Sequence, residues 1–158
     1  MKELGHVRID DRLIHGQIVS SWIDALGCKE IVIADDKAAK DEFQKVLLQM
    51  ACPSTIKLSI IPIAEAAEYL INNEERPKVL VIVRDVKSAL ELTSYEGVGI
   101  DHINVGNISS GKNRVKYTKS VWMNEEEIAD FKKLNEQGVE LIIQVVPSER
   151  SIDLMTLI

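Results

Sequence analysis

The residues best suited to chemistry lie together in V-R-I-D-D-R-L-I-H-G-Q-I-V-S-S-W, residues 7 to 22. The stretch reads as a strand, a short loop and the start of a helix. With the strand ending near Asp10 and the helix starting near Gly16, His15 stands just before a helix N-terminus, where several backbone N–H groups lack helical partners. Such an end favours anions. A neutral imidazole keeps a lone pair on one ring nitrogen, and an unperturbed one titrates near about 6.5, so a histidine placed there can act as a nucleophile toward phosphorus. Arg12, three residues upstream, offers the phosphoryl oxygens a permanently charged fork, and Arg8 is a second candidate for that work. Gly16 and Gln17 open the helix and complete the expected phosphate cradle, Gly16 by leaving room for close approach and for an unusual turn. Asp10 and Asp11 would repel a phosphoryl group, so one of them is expected to orient Arg12 or to hold the unreacted nitrogen of His15. Phosphoryl transfer asks for little beyond such positioning and charge.

Other chemistries are poorly served. G-N-I-S-S-G-K, residues 106 to 112, begins like a nucleotide-binding P-loop, but Asn113 stands where a Ser or Thr would hold magnesium, and a strand pattern follows where a helix is required. A phospho-receiver needs a third aspartate after the strand at KLSII, and the chain there reads KLSIIPIAE. Cys28 and Cys52 form no CxxC pair and lie near no histidine at metal-ligand spacing, so neither a zinc site nor a redox pair is expected. With 19 basic against 25 acidic residues and a net charge of −6, no basic stripe marks a nucleic-acid partner. No apolar run approaches the roughly 20 residues of a membrane span, and the N-terminus has no signal-peptide pattern, so a cytoplasmic protein is expected.

The elements that must position these residues follow from periodicity. Strand-length apolar runs recur at VRI (7 to 9), EIVIA (30 to 34), KLSII (57 to 61), KVLVIV (78 to 83) and HINV (102 to 105), each followed by a helical pattern. Further strands are expected over 115 to 123 and 139 to 146, near one edge. Ile18, Val19, Trp22, Ile23 and Leu26 share one face of the first helix, which Gly27 ends. The segment 36 to 50 presents Phe43, Val46, Leu47 and Met50 on one side, and 125 to 137 presents Ile128, Phe131 and Leu134; both read as helices packed on the sheet. At 158 residues with 46% apolar content and no linker, the chain reads as one domain, residues 1–158. The expected fold is a three-layer α/β/α doubly wound domain, with a mainly parallel sheet of about six to seven strands. Ligand sites in such sheets gather at the C-terminal strand ends, which adds Asp36, Arg84 and Asn107 as candidates and leaves His6 and His102 as structural.

IDDRLIHGQIVSSW closely resembles the active-site signature of the mannose/fructose/sorbose-family IIB components of sugar phosphotransferase systems, and GNISSGK followed by SVWMNEEE extends the likeness toward the C-terminus. The resemblance implies that His15 takes a phosphoryl group on Nδ1 from a IIA protein, without a cofactor. The group then passes to a sugar entering through membrane IIC and IID partners, beside which the protein works peripherally. It also implies a phosphate-binding role for Arg12. A histidine-phosphorylated regulatory domain that phosphorylates no sugar is the alternative.

Overall fold

The computed structural model describes residues 4–72 and 78–158. Its strands are β1 (Leu4–Asp10), β2 (Glu30–Ala34), β3 (Lys57–Ile61), β4 (Val79–Val83), β5 (His102–Asn107), β6 (Val115–Lys116), β7 (Trp122–Met123), β8 (Glu140–Ile143) and β9 (Ile152–Asp153). The helices are α1 (Gly16–Leu26), α2 (Asp36–Ala39), α3 (Glu42–Ala51), α4 (Ile63–Asn72), α5 (Val86–Ser94) and α6 (Glu125–Glu136). Among the described residues the main sheet has seven strands in the order β3-β2-β4-β1-β5-β8-β9. All neighbours run parallel except the last pair, β8 with β9. The fold is the doubly wound α/β domain that the alternating strand and helix patterns led us to expect.

Side-chain alternation assigns the two faces. Val7 and Ile9 of β1, Val79, Val81 and Val83 of β4 and Ile103 and Val105 of β5 pack with α4, α5 and α6 in one core. Ile31 and Ile33 of β2 and Leu80 and Ile82 of β4 pack on the other face with Val19, Trp22 and Ile23 of α1, Ala38 of α2 and Leu48 of α3. β2 and β4 are apolar on both sides, as parallel strands under two helical layers must be. β1 differs: its inward positions toward the α1 side are His6, Arg8 and Asp10. Chain order makes β1 the turning point, because α1 carries the chain to β2 on one side while β5 pairs on the other. A crevice opens outside the strand ends at such a point.

Three sequence expectations need correction. Residues 115 to 123 do not make one strand of the main sheet. They fold back as the short antiparallel pair β6–β7, because the Thr118 hydroxyl accepts the amides of Ser120 and Val121 and turns the chain. Segment 139 to 146 yields only the shorter β8, seated between β5 and the edge strand β9. The helix expected over 36 to 50 is two helices: Asp35 caps α2 through the Ala38 amide and Asp41 caps α3 through the Gln44 amide. Restarted by its own cap, α3 turns Leu48 to the core and leaves Phe43, Val46, Leu47 and Met50 exposed, Met50 by 77%. Periodicity identified an apolar stripe there, but it does not say which way the stripe faces. Gly27, by contrast, ends α1 in the left-handed conformation expected of it, at φ 69°.

His6 gives the fold a pH dependence. Its ring stacks on Trp22 with centroids 4.8 Å apart, and burial, reinforced by the neighbouring His102, pushes its pKa down from 6.5 to about 4. The unfolded chain therefore takes up this proton first on acidification. The neutral ring's full contribution is present above about pH 6.5 and is lost as the pH falls toward 4, by at most about 3 kcal/mol. His6→Phe retains the stack and removes the proton, so urea unfolding followed between pH 7 and 4 should fall less steeply for that variant than for the wild type.

Candidate functional site

β1 delivers the chain to the crevice, and the five residues after it form the site. The Leu13 amide donates to Asp10 O at 2.9 Å, closing a tight turn. Leu13 itself takes φ 62°, a left-handed conformation that costs a non-glycine residue on the order of 1 kcal/mol or more. Burial of its side chain, 1% exposed, holds it there beside buried Ile14. These two apolar anchors fix the loop on both sides of its polar tip, and the next residue, His15, emerges exposed.

His15 occupies the N-cap of α1 with extended backbone, φ −123° and ψ 97°, and its side chain makes no capping bond. Its carbonyl accepts from the Ile18 and Val19 amides at 3.0 and 3.1 Å. Among the described residues no backbone carbonyl accepts from Gly16 or Gln17, which leaves these two amides free at the start of the helix. Two such free N–H groups at a helix start are what an anion cradle would need. The conformational reason first given for Gly16 does not hold: it has no positive φ, and a Cβ there would meet nothing within 4 Å. Leu13 supplies the unusual turn instead.

Asp10, not Asp11, orients Arg12. The buried Asp10 carboxylate accepts from Arg12 N and Nε on Oδ1, both at 3.0 Å, and from Arg12 Nη2 on Oδ2 at 2.9 Å. Those bonds are the largest cause of the raised Arg12 pKa. One edge of the guanidinium is thus fixed, while Nη1 makes no hydrogen bond among the described residues and the side chain is 31% exposed. The free edge is the part able to grip phosphoryl oxygens. Asp11 instead ties two loops together. It accepts from Asn107 Nδ2 at 2.8 Å, from the Ser109 amide at 2.8 Å and from Ser109 Oγ at 3.1 Å. Neither aspartate hydrogen-bonds to the His15 ring among the described residues, so the second role considered for them is not seen.

The remaining candidates divide. Arg84 follows β4, the strand beside β1, and grips Asp35 with Nε and Nη2 at 3.2 and 2.8 Å. That pairing raises its pKa, with smaller help from Asp85 and Asp11. Asn107 joins through Asp11. Asp36 does not: its carboxylate accepts the Ile63 amide at 2.9 Å and serves the start of α4. Arg8 is also removed from the phosphate-binding set, because its side chain is only 1% exposed and faces the sheet interior. Ser109 was missed, though it lies in the loop GNISSGK that the sequence singled out. That loop is braced from behind, since Arg114 donates to Ser109 O at 2.8 Å and pairs with Glu127 at 3.0 and 2.8 Å. Glu127 also completes the capping box of α6 with Asn124. A groove of about 620 Å³ lined by Asn113, Tyr117, Met123 and Glu125 includes none of the candidate site residues. Among the described residues no group of three or more His, Cys, Asp or Glu could hold a metal ion.

The family described as PTS system sorbose subfamily IIB component, where PTS denotes a phosphotransferase system, matches residues 4–158. The chain belongs to that family. It is 31% identical over 151 residues to the PTS system fructose-specific EIIB component of Bacillus subtilis, covering 96% of this chain and 93% of that protein. It is 28% identical to the PTS system mannose-specific EIIAB component of Escherichia coli, where 98% of this chain spans 48% of the longer protein. The solved IIBSor domain of the sorbose permease from Klebsiella pneumoniae superposes with a TM-score of 0.91 at 28% identity, covering 98% of this chain and 94% of that one. As a IIB component the chain is a sugar phosphotransferase, the activity class read from its sequence. None of its helices among the described residues is long and apolar enough to cross a membrane.

The two adjacent aspartates of this IIB chain make a direct test of the geometry. Asp10→Ala strands the buried Arg8 cation and should cost about 3 to 5 kcal/mol, as broken buried pairs do. Asp11→Ala, which removes partly exposed hydrogen bonds, should cost about 1 kcal/mol. Urea unfolding of the two variants measures the difference.

Proposed function

We propose that His15 is the phosphoryl carrier of this IIB component, receiving the group from a IIA protein and passing it to a sugar brought by membrane IIC and IID partners. The observation that carries this reading is the exposed His15 at the N-cap of α1, followed by two amides without a backbone partner among the described residues and preceded in the same loop by an arginine with one guanidinium edge fixed and the other free. In the first step the lone pair of a neutral ring nitrogen, Nδ1 by resemblance to the family, attacks phosphorus. The phosphorus–nitrogen or phosphorus–oxygen bond in the donor breaks as the new bond to His15 forms. Arg12 and the amides of Gly16 and Gln17 face the charge on the transferring oxygens. In the second step a sugar hydroxyl attacks, its proton is released, and the bond to His15 breaks to restore the neutral ring.

An exposed ring suits a group handed between proteins, since each partner must reach the phosphorus in line. The mannose-specific relative, whose name joins A and B components in one protein, supports a IIA donor. We place the whole chain, residues 1–158, as one IIB domain acting at the cytoplasmic face beside its membrane partners. The transfer uses neither ATP nor a cofactor in this scheme.

Rates of phosphate transfer from phosphorylated IIA protein separate the two main residues. His15→Ala should abolish uptake in a folded protein. Arg12→Ala should slow it by roughly 10²- to 10³-fold, the loss typical of one charge-stabilising donor. Arg12→Lys should recover part of the rate, because it keeps the charge and loses the fork. A folded Arg12→Ala protein with the wild-type rate would remove Arg12 from the mechanism.

A further inference from the structure

Arg8 is a buried cation that no direct contact with a phosphoryl group explains. Its guanidinium lies between β1, β5 and β8, donating from Nη1 to Asn104 Oδ1 and to Gln144 O at 3.1 Å, and from Nη2 to Asp10 Oδ2 at 3.3 Å. Asn104 is held in turn by its own bonds to the carbonyls of Ile142 and Gln144, at 3.3 and 2.9 Å. The guanidinium also sits 5.7 Å from the Trp22 ring centroid, and Trp22 Nε1 donates to Val145 O at 2.9 Å. Arg8 therefore touches the helix that carries His15 as well as the carboxylate that carries Arg12.

The chain makes room for it. A Cβ at Gly106 would lie 2.1 to 2.6 Å from the Arg8 guanidinium, a separation real atoms do not reach, and Gly106 has no positive φ that would otherwise call for glycine. Burying an arginine costs several kcal/mol before its pairing is counted, and an apolar side chain of similar volume would stabilise such a position at least as well. Stability alone gives no reason for the charge.

The charge count gives one. Asp10 and Arg12 alone form a neutral pair, which attracts an anion weakly at a distance. With Arg8 beneath, the ion-paired trio Arg8⁺, Asp10⁻ and Arg12⁺ keeps one net positive charge, while Asp11, which also acts on Arg12, has its carboxylate engaged by Asn107 and Ser109. Asp10 can then aim Arg12 through three hydrogen bonds without cancelling the charge it aims.

We propose that Arg8 is a positioning residue for phosphoryl transfer, fixing Asp10 and offsetting its charge so that Arg12 meets the phosphoryl oxygens correctly oriented and uncancelled. The inference rests on the reading of His15 and Arg12 given above. It predicts an effect confined to Arg12. In transfer from phosphorylated IIA protein, Arg8→Met should lower kcat by roughly 10- to 100-fold, the scale of a small misplacement of a catalytic group. KM for the donor should stay within about twofold, because Arg8 is not on the docking surface. Gly106→Ala, which displaces the guanidinium and changes no charge, should lower kcat in the same direction, and Arg8→Lys should recover part of the rate. In an Arg12→Ala background, Arg8→Met and Gly106→Ala should add almost nothing further.

Variants are compared only where circular dichroism shows a folded protein; if Arg8→Met does not fold, Gly106→Ala and Arg8→Lys carry the test. A folded Arg8 or Gly106 variant with wild-type kcat would overturn the proposal. So would the same fold-loss with and without Arg12, which would mark Arg8 as a general structural support. A wild-type rate for Arg12→Ala alone is a separate result that sinks the phosphate-binding reading itself.

Discussion

A carboxylate sealed beneath a helix is stable only when cations and N–H groups satisfy it, and Asp10 obtains both from residues two positions away on either side. The alternation of β1 makes this possible. Val7 and Ile9 turn into the α4–α6 core, which leaves Arg8 and Asp10 on the α1 face, and the turn after the strand brings Arg12 back onto the same carboxylate. The burial of Asp10 thus connects the sheet to the reactive loop. Gly106 and Asn104 on β5 belong to the same arrangement, one by leaving space and the other by accepting from Arg8.

The second constraint is that two loops must meet at the end of β1. Leu13 accepts a left-handed backbone so that Arg12 can fold back while Leu13 and Ile14 enter the core below α1. Asp11 then joins this loop to the one after β5 through Asn107 and Ser109, and Arg114 and Glu127 brace Ser109 against α6. Each flexible piece is tied to a rigid element within a few residues. His15 itself stays exposed, with buried neighbours before it and a helix after it, as the proposed exchange of phosphate with other molecules requires.

Much of this was legible in the sequence, for physical reasons that can be named. The strands under two helical layers announce themselves as unbroken apolar runs, as in EIVIA and KVLVIV, and the helix end at Gly27 follows from a left-handed glycine at φ 69°. The placement of His15 at a helix start came from the strand, loop and helix pattern alone. The outward face of α3 was not legible, because an apolar stripe gives a helix a side and no direction. The split of residues 115 to 123 was hidden in one hydroxyl, Thr118, whose two accepted amides replace a strand with a turn. The burial of Arg8 had a visible signal that went unused. The alternation H-V-R-I-D places Arg8 and Asp10 on one side of a central strand, and two opposite charges at that spacing on a buried face are expected to pair.

The central question is which residue carries the phosphate. The most direct measurement is to phosphorylate the protein with its phosphorylated IIA donor, digest it under alkaline conditions and locate the phosphate by mass spectrometry, with its acid and base stability measured in parallel. The account predicts one phosphoryl group on His15, stable in base and lost in acid, as a phosphoramidate is. Phosphate on Asp10, Asp11 or any other residue, or a linkage that survives acid, would contradict it.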